Sequence, residues 1–380
     1  MAAAYDRRMG ETRTLLTDAA RVAREHADEG DRDRRLPEVT VQALTDAGAL
    51  AMCLPEAYGG PGTGPLAMID AVIEIATADG AAGWCAGIAS TTSSMAAFLE
   101  PDVARTVFAD PTAATGGVFA PNGRGVREGD GYRVTGQWQW GSGTQHCDWI
   151  VGGAMCDDGT QRVCFFPKSD IEFSDTWYAV GMRGTGSLDI GVNDAFVPEP
   201  FTVQPGVSKV YVDEPLAHFP NFTLLALGIA ATGLGVARRA LDELVELATS
   251  KKPQFSSRTL ANSAFAQTEF ARAEARWRAA RTLLRTEVGD AWESAVNGGQ
   301  VTVAKRVAMR LAAAHAAAEC VAVTDTAWTL AGGTAVFEAS VLGRCVRDAH
   351  VTTQHIMVAP KLNETLGKFL LGADFDDRMI

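Results

Sequence analysis

Hydrophobic and polar positions repeat with two different periods along this chain, and the change of period divides it. Near the start, Leu15, Ala19, Val22 and His26 recur at steps of three and four while Asp, Glu and Arg fill the opposite face, so the pattern predicts an amphipathic helix. A charged, helix-compatible run to Arg35 follows. Leu36-Pro37 then opens LPEVTVQALTDAGAL, which ends at the glycine-rich LPEAYGGPG over residues 54–62. Two segments rich in Ala, Ile and Met, about 66–79 and 81–98, predict further helices that are largely buried. Between about 113 and 203 the period falls to near two. TGGVFAP, YRVTGQWQW, WIVGGAMC and RVCFFP are short runs broken by Gly, Asn and Asp turns, which predicts a β module. From about 217 long helical stretches return, among them FTLLALGIAATGLGVARRALDELVELA and TEFARAEARWRAARTLLRTEV. The order is α–β–α, without repeats or low-complexity tracts.

Composition narrows the class. With 380 residues, 47% of them hydrophobic, the chain has material for a large core and for two to three domains. Its 34 basic and 46 acidic residues give a net charge of −12, a field that repels polyanions, so no nucleic-acid partner is expected. No long apolar run is free of charges or punctuation, and the N-terminal MAAAYDRRMGETRTLL mixes acids with bases instead of leading into an apolar signal core. A soluble, cytoplasmic protein without membrane contact is the expectation. Seven cysteines, at 53, 85, 147, 156, 164, 320 and 345, form no C-x-x-C and no regular framework, so they read as small buried hydrophobes in a reducing compartment.

Several motif classes are missing. GGPGTG (59–64) and GLG (233–235) carry fragments of a dinucleotide fingerprint, but neither supplies G-x-G-x-x-G between a strand and a helix, and G-x-x-x-x-G-K-[ST] is absent. His350 and His355 are five residues apart, a step that does not stack on a helix, and H-E-x-x-H is missing, so no metal site is expected. QWQWGSGTQHCDW, 137–149, gathers tryptophans, hydrogen-bonding side chains and two glycines at the end of a strand. These residues fit a site for a flat aromatic ligand, with rings stacking beside glycines that admit close approach; they also fit a tryptophan-rich β core with a tight turn.

Four segments, in order, resemble the acyl-CoA dehydrogenase superfamily. LPEAYGGPG (54–62) is similar to its N-terminal loop, and WGSGTQHCDW (140–149) resembles its flavin-contacting W-I-T-N-G segment. VGMRGTGSLDIGVNDAFVP (180–198) resembles L-G-x-R-G-[ST]-x-S closing in V-P, and AGGTAVFEASVLGRCVRD (331–348) resembles the C-terminal glycine pair followed by R-x-x-R-D. The resemblance implies a mainly α fold with a central β domain. Its parts would be an N-terminal helical domain (1–112), a middle β-barrel-like domain (113–216) and a C-terminal four-helix bundle (217–380), assembled as a homotetramer or homodimer.

The family's dehydrogenases need a carboxylate base to take an α-proton. Laying Arg347-Asp348 on the family's R-D puts Ile356 where that glutamate stands, with His355 just before it; Glu243 or Glu246 would be substitutes from an earlier helix. S-G-x-x-H-x-x-W (142–149), D-G-x-x-G-W (79–84) and R-D-x-H-x-x-x-Q-H (347–355) instead resemble the two-component flavin-dependent monooxygenases. That branch implies reduced FMN or FAD from a separate NAD(P)H flavin reductase, O2 as co-substrate, a C4a-hydroperoxide and a small aromatic substrate (phenol, indole or an aromatic natural-product intermediate). It assigns Ser142 and His355 to catalysis, and Trp140, Ser142, Arg258, Gly332 and Gly333 to the flavin. Trp84 and His146 go to the substrate. Plainer accounts of the same residues are a turn cap for Ser142, core filling for Trp84, a backbone bond for His355 and an exposed helix-start arginine for Arg258. Alternative readings of the fold are an acyl-thioester desaturase, an amino-sugar N-oxygenase and a non-catalytic flavin-binding protein.

Overall fold

A computed structural model describes residues 2–376 and 380, with side chains from Arg13 onward, so the expectation about a leader rests partly on residues 1–12, which lie outside the described side chains. Six helices come first: α1 (Ala2–Glu25), α2 (Ala27–Asp33), α3 (Glu38–Asp46), α4 (Pro65–Ala78), α5 (Gly80–Ser93) and α6 (Pro101–Val107). Seven strands follow: β1 (Ala114–Glu128), β2 (Gly131–Gly141), β3 (Cys147–Cys156), β4 (Gln161–Pro167), β5 (Glu172–Ser174), β6 (Leu188–Pro198) and β7 (Thr202–Val203). The last helices are α7 (Asn221–Ser250), α8 (Ala264–Val296), α9 (Val303–Ala331), α10 (Val341–Thr352) and α11 (Leu362–Leu370). The chain thus has the acyl-CoA dehydrogenase-like order of helices, sheet and helices.

In space the chain forms two compact units: residues 1–64, 84–179 and 183–221, and residues 65–83, 180–182 and 222–380. The first unit holds the sheet, in the order β5-β6-β2-β1-β3-β4-β7, with every pairing antiparallel except β1 with β3. Leu54, Met95, Leu99 and Phe108 from helices and loops pack with Val151, Val163 and Phe165 of β3 and β4, so one face of the sheet is covered. Trp138 of β2 is fully buried and donates its indole N–H to the Gly153 carbonyl at 2.8 Å. Its ring fits because positions 123, 136 and 152 are glycines: a Cβ at any of them would stand 2.7–2.8 Å from the indole.

The second unit is helical, with α7 at its centre. Its Gly235 lies so close to α4 that a Cβ would come within 2.5 Å of the Ala76 Cβ and 2.7 Å of the Ile73 carbonyl. The GLG of the sequence therefore serves helix contact. Two stretches, Asn221–Ser250 and Val303–Val336, have the length and mean hydropathy (1.4 and 1.3) of a membrane span, but 94% and 61% of their most apolar windows are buried inside the protein, as in core helices.

One expectation needs correction. The packed face of α1 is Ala19, Ala20 and Ala23, whereas Leu15 is 46% exposed. Side chains this small bring helix axes closer together than a leucine stripe allows.

Candidate active site

Strand alternation would point Trp140 to the same side as Trp138, into the core. Instead the register of β2 on β6 shifts between Trp138 and Gly141, and Trp140 adopts a left-handed backbone (φ 69°). A bulge of this kind re-aims a side chain. Trp140 accordingly turns outward and is 67% exposed, although a large aromatic in a strained conformation is costly unless the surroundings enforce it.

Two residues on, Ser142 turns inward. The pairing of Gly141 with Leu188 brings the end of β2 against the start of β6, and this register sets Ser142 beside Ser187. Their hydroxyls are 2.7 Å apart, and Ser187 is 2.7 Å from the Thr185 hydroxyl. From α5, Trp84 donates its indole N–H to the Ser142 oxygen at 3.0 Å. All four side chains are buried. Indole N–H is only a donor, so Trp84 fills an acceptor site on Ser142 and the serine's own hydrogen points elsewhere. If the hydrogen bonds run from Thr185 to Ser187 to Ser142, the Ser142 proton is the outgoing one.

His146 ends a short 3-10 turn that begins after Gly143, itself in the left-handed region (φ 68°). It borders a cavity of about 10 Å³, with room for about one water, that Ser142, Thr115, Leu36, Val41 and Cys85 also line. Burial, with the Lys168 and Arg35 cations, pushes its imidazole down to about 4, so the ring is neutral near pH 7. The structure thus gathers Trp84, Ser142 and His146 in the first unit with Trp140. Ser187 and Thr185 complete the group; they belong to the motif-bearing segment 180–198, but nothing in their residue type singles them out there.

The second unit carries Arg258, Gly332, Gly333 and His355. Arg258 is exposed on the loop after α7. That loop is held by Lys251, whose carbonyl accepts from the Leu260 N–H at 2.7 Å and whose ammonium donates to the Ala331 carbonyl and, at 2.7 Å, to Thr334. Gly332 and Gly333 lie in this bridge. A Cβ at Gly333 would meet nothing within 4 Å, so the backbone there is open to a ligand.

His355 sits in the turns after α10. Its Nδ1 accepts the Met357 N–H at 3.3 Å, and the Met357 carbonyl accepts from Arg310 Nη2 at 2.9 Å. Burial and the Arg310 charge push the imidazole down to about 4. Asp348 of the R-D motif accepts the Met182 N–H at 2.5 Å, tying the 180–182 segment to α10. Asp79 of D-G-x-x-G-W accepts from the Ala81 and Ala82 N–H groups and caps α5.

The dehydrogenase base is missing from both family positions. Ile356 occupies one and is 67% exposed. At the other, Glu243 pairs with Arg239 at 2.7 Å and Glu246 is exposed to solvent. Burial pushes the Cys53, Cys147 and Cys345 thiols up to about 12, away from the reactive thiolate form. In the first unit an outward indole face and a buried hydroxyl fit the ring of a flavin; in the second, open glycine backbone and the Arg258 cation fit a phosphate.

Known proteins of similar sequence and shape point the same way. Family models described as acyl-CoA dehydrogenase, N-terminal domain, and acyl-CoA dehydrogenase, C-terminal domain, match residues 11–100 and 227–360. The chain is 32% identical to an indole-3-acetate monooxygenase of Pseudomonas putida, over 90% of this chain and 89% of that one. It is 30% identical to a flavin-dependent monooxygenase, oxygenase subunit HsaA, of Rhodococcus jostii, over 89% and 92%. The crystal structure of 3-HSA hydroxylase from Rhodococcus sp. RHA1 superposes with a TM-score of 0.91 at 27% identity, covering 97% of this chain and 99% of that one. The chain belongs to the acyl-CoA dehydrogenase superfamily and, within it, to the two-component flavin-dependent monooxygenases, oxidoreductases that use reduced flavin and O2.

Proposed function

We propose that this chain is the oxygenase component that hydroxylates a small aromatic compound, with a separate NAD(P)H flavin reductase supplying reduced FMN or FAD. The observation that carries the reading is the buried chain from Trp84 through Ser142 to Ser187 and Thr185, next to the outward-turned Trp140. The indole-3-acetate named in the Pseudomonas putida relative supports an aromatic substrate.

When bound, reduced flavin supplies two electrons and the capacity to activate dioxygen. The residues around it hold and orient. Trp140 offers a ring face, Ser142 a directed O–H, Gly332 and Gly333 open backbone, and Arg258 a permanent cation for a phosphate. Lys252, exposed on the same loop, is a second cation suited to a phosphate. Trp84 and His146 bound the substrate side. His355, neutral near pH 7, manages a proton.

The same reading divides the chain at 112/113 and 216/217, supported by helices that end at Val107, strands from Ala114 to Val203 and a helix from Asn221. It places the protein in the cytoplasm as a homotetramer or homodimer. Exposed Phe265, Val336, Phe337 and Leu371 support self-association, which sedimentation velocity measures.

Ser142→Ala tests the core of the reading. Removing one preorganised donor typically slows a reaction by about 10²-fold. The variant is expected to retain flavin affinity, to lose product formation on that scale and to divert oxygen to free hydrogen peroxide. Unchanged product per oxygen consumed would remove Ser142 from the chemistry.

A further inference from the structure

The cavity of about 10 Å³ that Ser142 and His146 border lies wholly within the first unit. Its walls include Leu36, Leu50, Ala89 and Ala114, each only 2–6% exposed. Val41, Gly143 and His146 are partly exposed, so the mouth of the cavity is on their side. Gly143 keeps the Ser142 end open, since a Cβ there would stand 3.3 Å from the Cys85 sulfur.

A space of this size takes one very small molecule, and the polar groups around it decide which. A buried water needs about two to four polar partners. Here the polar groups are already engaged or shut off. The Ser142 oxygen accepts from Trp84 at 3.0 Å and lies 2.7 Å from the Ser187 hydroxyl. The Cys147 thiol is directed at the Gly143 carbonyl (3.5 Å) and the Cys85 thiol at the Thr185 carbonyl (3.8 Å). The Thr115 hydroxyl has no partner among the described residues, yet less than 1 Å² of its oxygen is accessible, so it offers the cavity almost no polar surface. What remains is the His146 ring at the mouth, which burial, with Lys168 and Arg35, keeps neutral near pH 7. One polar partner is too few for a water, and the other walls are hydrocarbon and sulfur.

Dioxygen meets both conditions. It is diatomic, uncharged and a poor hydrogen-bond acceptor, and like other apolar molecules it moves favourably from water into apolar surroundings. It is also the co-substrate of this family. We propose that the cavity is a dioxygen site, which takes O2 from solvent at the mouth formed by Val41, Gly143 and His146 and delivers it beside Ser142. The proposal rests on the reading that Ser142 borders the reacting flavin ring, and it deepens that reading by giving oxygen its own way in. A passage this narrow admits oxygen and excludes an aromatic substrate.

Two measurements test it. Krypton is apolar and is located by its anomalous scattering, so crystals of the protein pressurised with krypton report what the cavity accepts. Krypton is expected in the wild-type cavity and not in that of Ala89→Val, whose added carbons take up the space. An ordered water hydrogen-bonded to His146 in the cavity and not displaced by krypton would overturn the proposal. Delivery is read by mixing protein preloaded with reduced flavin against buffers of increasing oxygen content and following reoxidation. Ala89→Val is expected to lower the second-order rate constant for oxygen several-fold while its affinity for reduced flavin is unchanged. Leu50→Ala, which widens the wall, is expected to keep or raise that constant. Val41→Phe, which covers the partly exposed mouth, serves if Ala89→Val does not fold. A folded variant with the cavity filled or covered and an unchanged rate constant would mean that oxygen arrives by another way, and the proposal would fall. Should Ser142→Ala keep its full product per oxygen, the role of Ser142 in the chemistry fails, and the rate constant of Ala89→Val still decides the role of the cavity.

Discussion

A hydroxyl becomes a useful donor when something decides where its hydrogen points, and at Ser142 that decision is shared by two partners. Trp84→Phe removes the indole N–H while keeping most of the ring volume. A lost neutral hydrogen bond costs about 1 kcal/mol of stability, and the Ser142 hydroxyl gains a second orientation. Ser187→Ala removes the other partner. The two substitutions meet at one oxygen, so the double variant should depart from additivity by about 0.5 kcal/mol or more, and product per oxygen should fall in all three. Urea melts together with product yields check this; strict additivity with full yield would mean that the hydrogen bonds only fill space. Ser142 and Trp84 were legible as members of two motifs, but their bond was not, because it depends on the β2–β6 register that sets Ser187 beside Ser142. Arg310 was illegible for a different reason. An arginine within an alanine-rich helix reads as a solvated position, and only the packing around α9 shows it buried.

At the scale of elements, two glycines separate packing from access. Gly235 faces α4, where an added methyl would meet backbone and a Cβ at 2.5–2.7 Å. Neither neighbour is a flexible side-chain tip, so Gly235→Ala must push α7 and α4 apart and should cost about 1–3 kcal/mol, seen as a lower urea midpoint with little change in slope. Gly333→Ala meets nothing within 4 Å, so its stability should stay within about 0.5 kcal/mol of the wild type while flavin affinity falls, if the open backbone there receives the cofactor. Equal stabilities for the two variants would contradict the close contact of α7 with α4. The elements themselves were readable, since the shift from a period near 3.6 to a period of two and back marks where the strands begin and end. What periodicity cannot show is a departure from itself. The bulge that turns Trp140 outward breaks the alternation at the site, and the alanine face of α1 carries too little hydrophobic contrast to compete with Leu15 in the pattern.

For the whole molecule, sequence order and spatial grouping part company: residues 65–83 and 180–182 group with the C-terminal helices, through contacts such as Gly235 with Ala76 and Asp348 with Met182, which no local pattern announces. Each unit holds one histidine pushed down to about 4, His146 by burial and the Lys168 and Arg35 charges, His355 by burial and Arg310. Between pH 6.5 and 4 the unfolded chain therefore binds more protons than the native protein, so stability is complete above about 6.5 and declines as pH falls toward the native values. The slope approaches about 1.4 kcal/mol per pH unit for each histidine. Between pH 7 and 5 the wild type should accordingly lose about 1–2 kcal/mol per histidine more than the His146→Gln/His355→Gln double variant, measured by urea melts at both values. Equal losses would mean that both rings take up protons as readily in the native state as in the unfolded chain. If the difference is found, a decline in hydroxylation between pH 7 and 5 does not report the protonation of either ring in the native protein, because both stay neutral down to about 4.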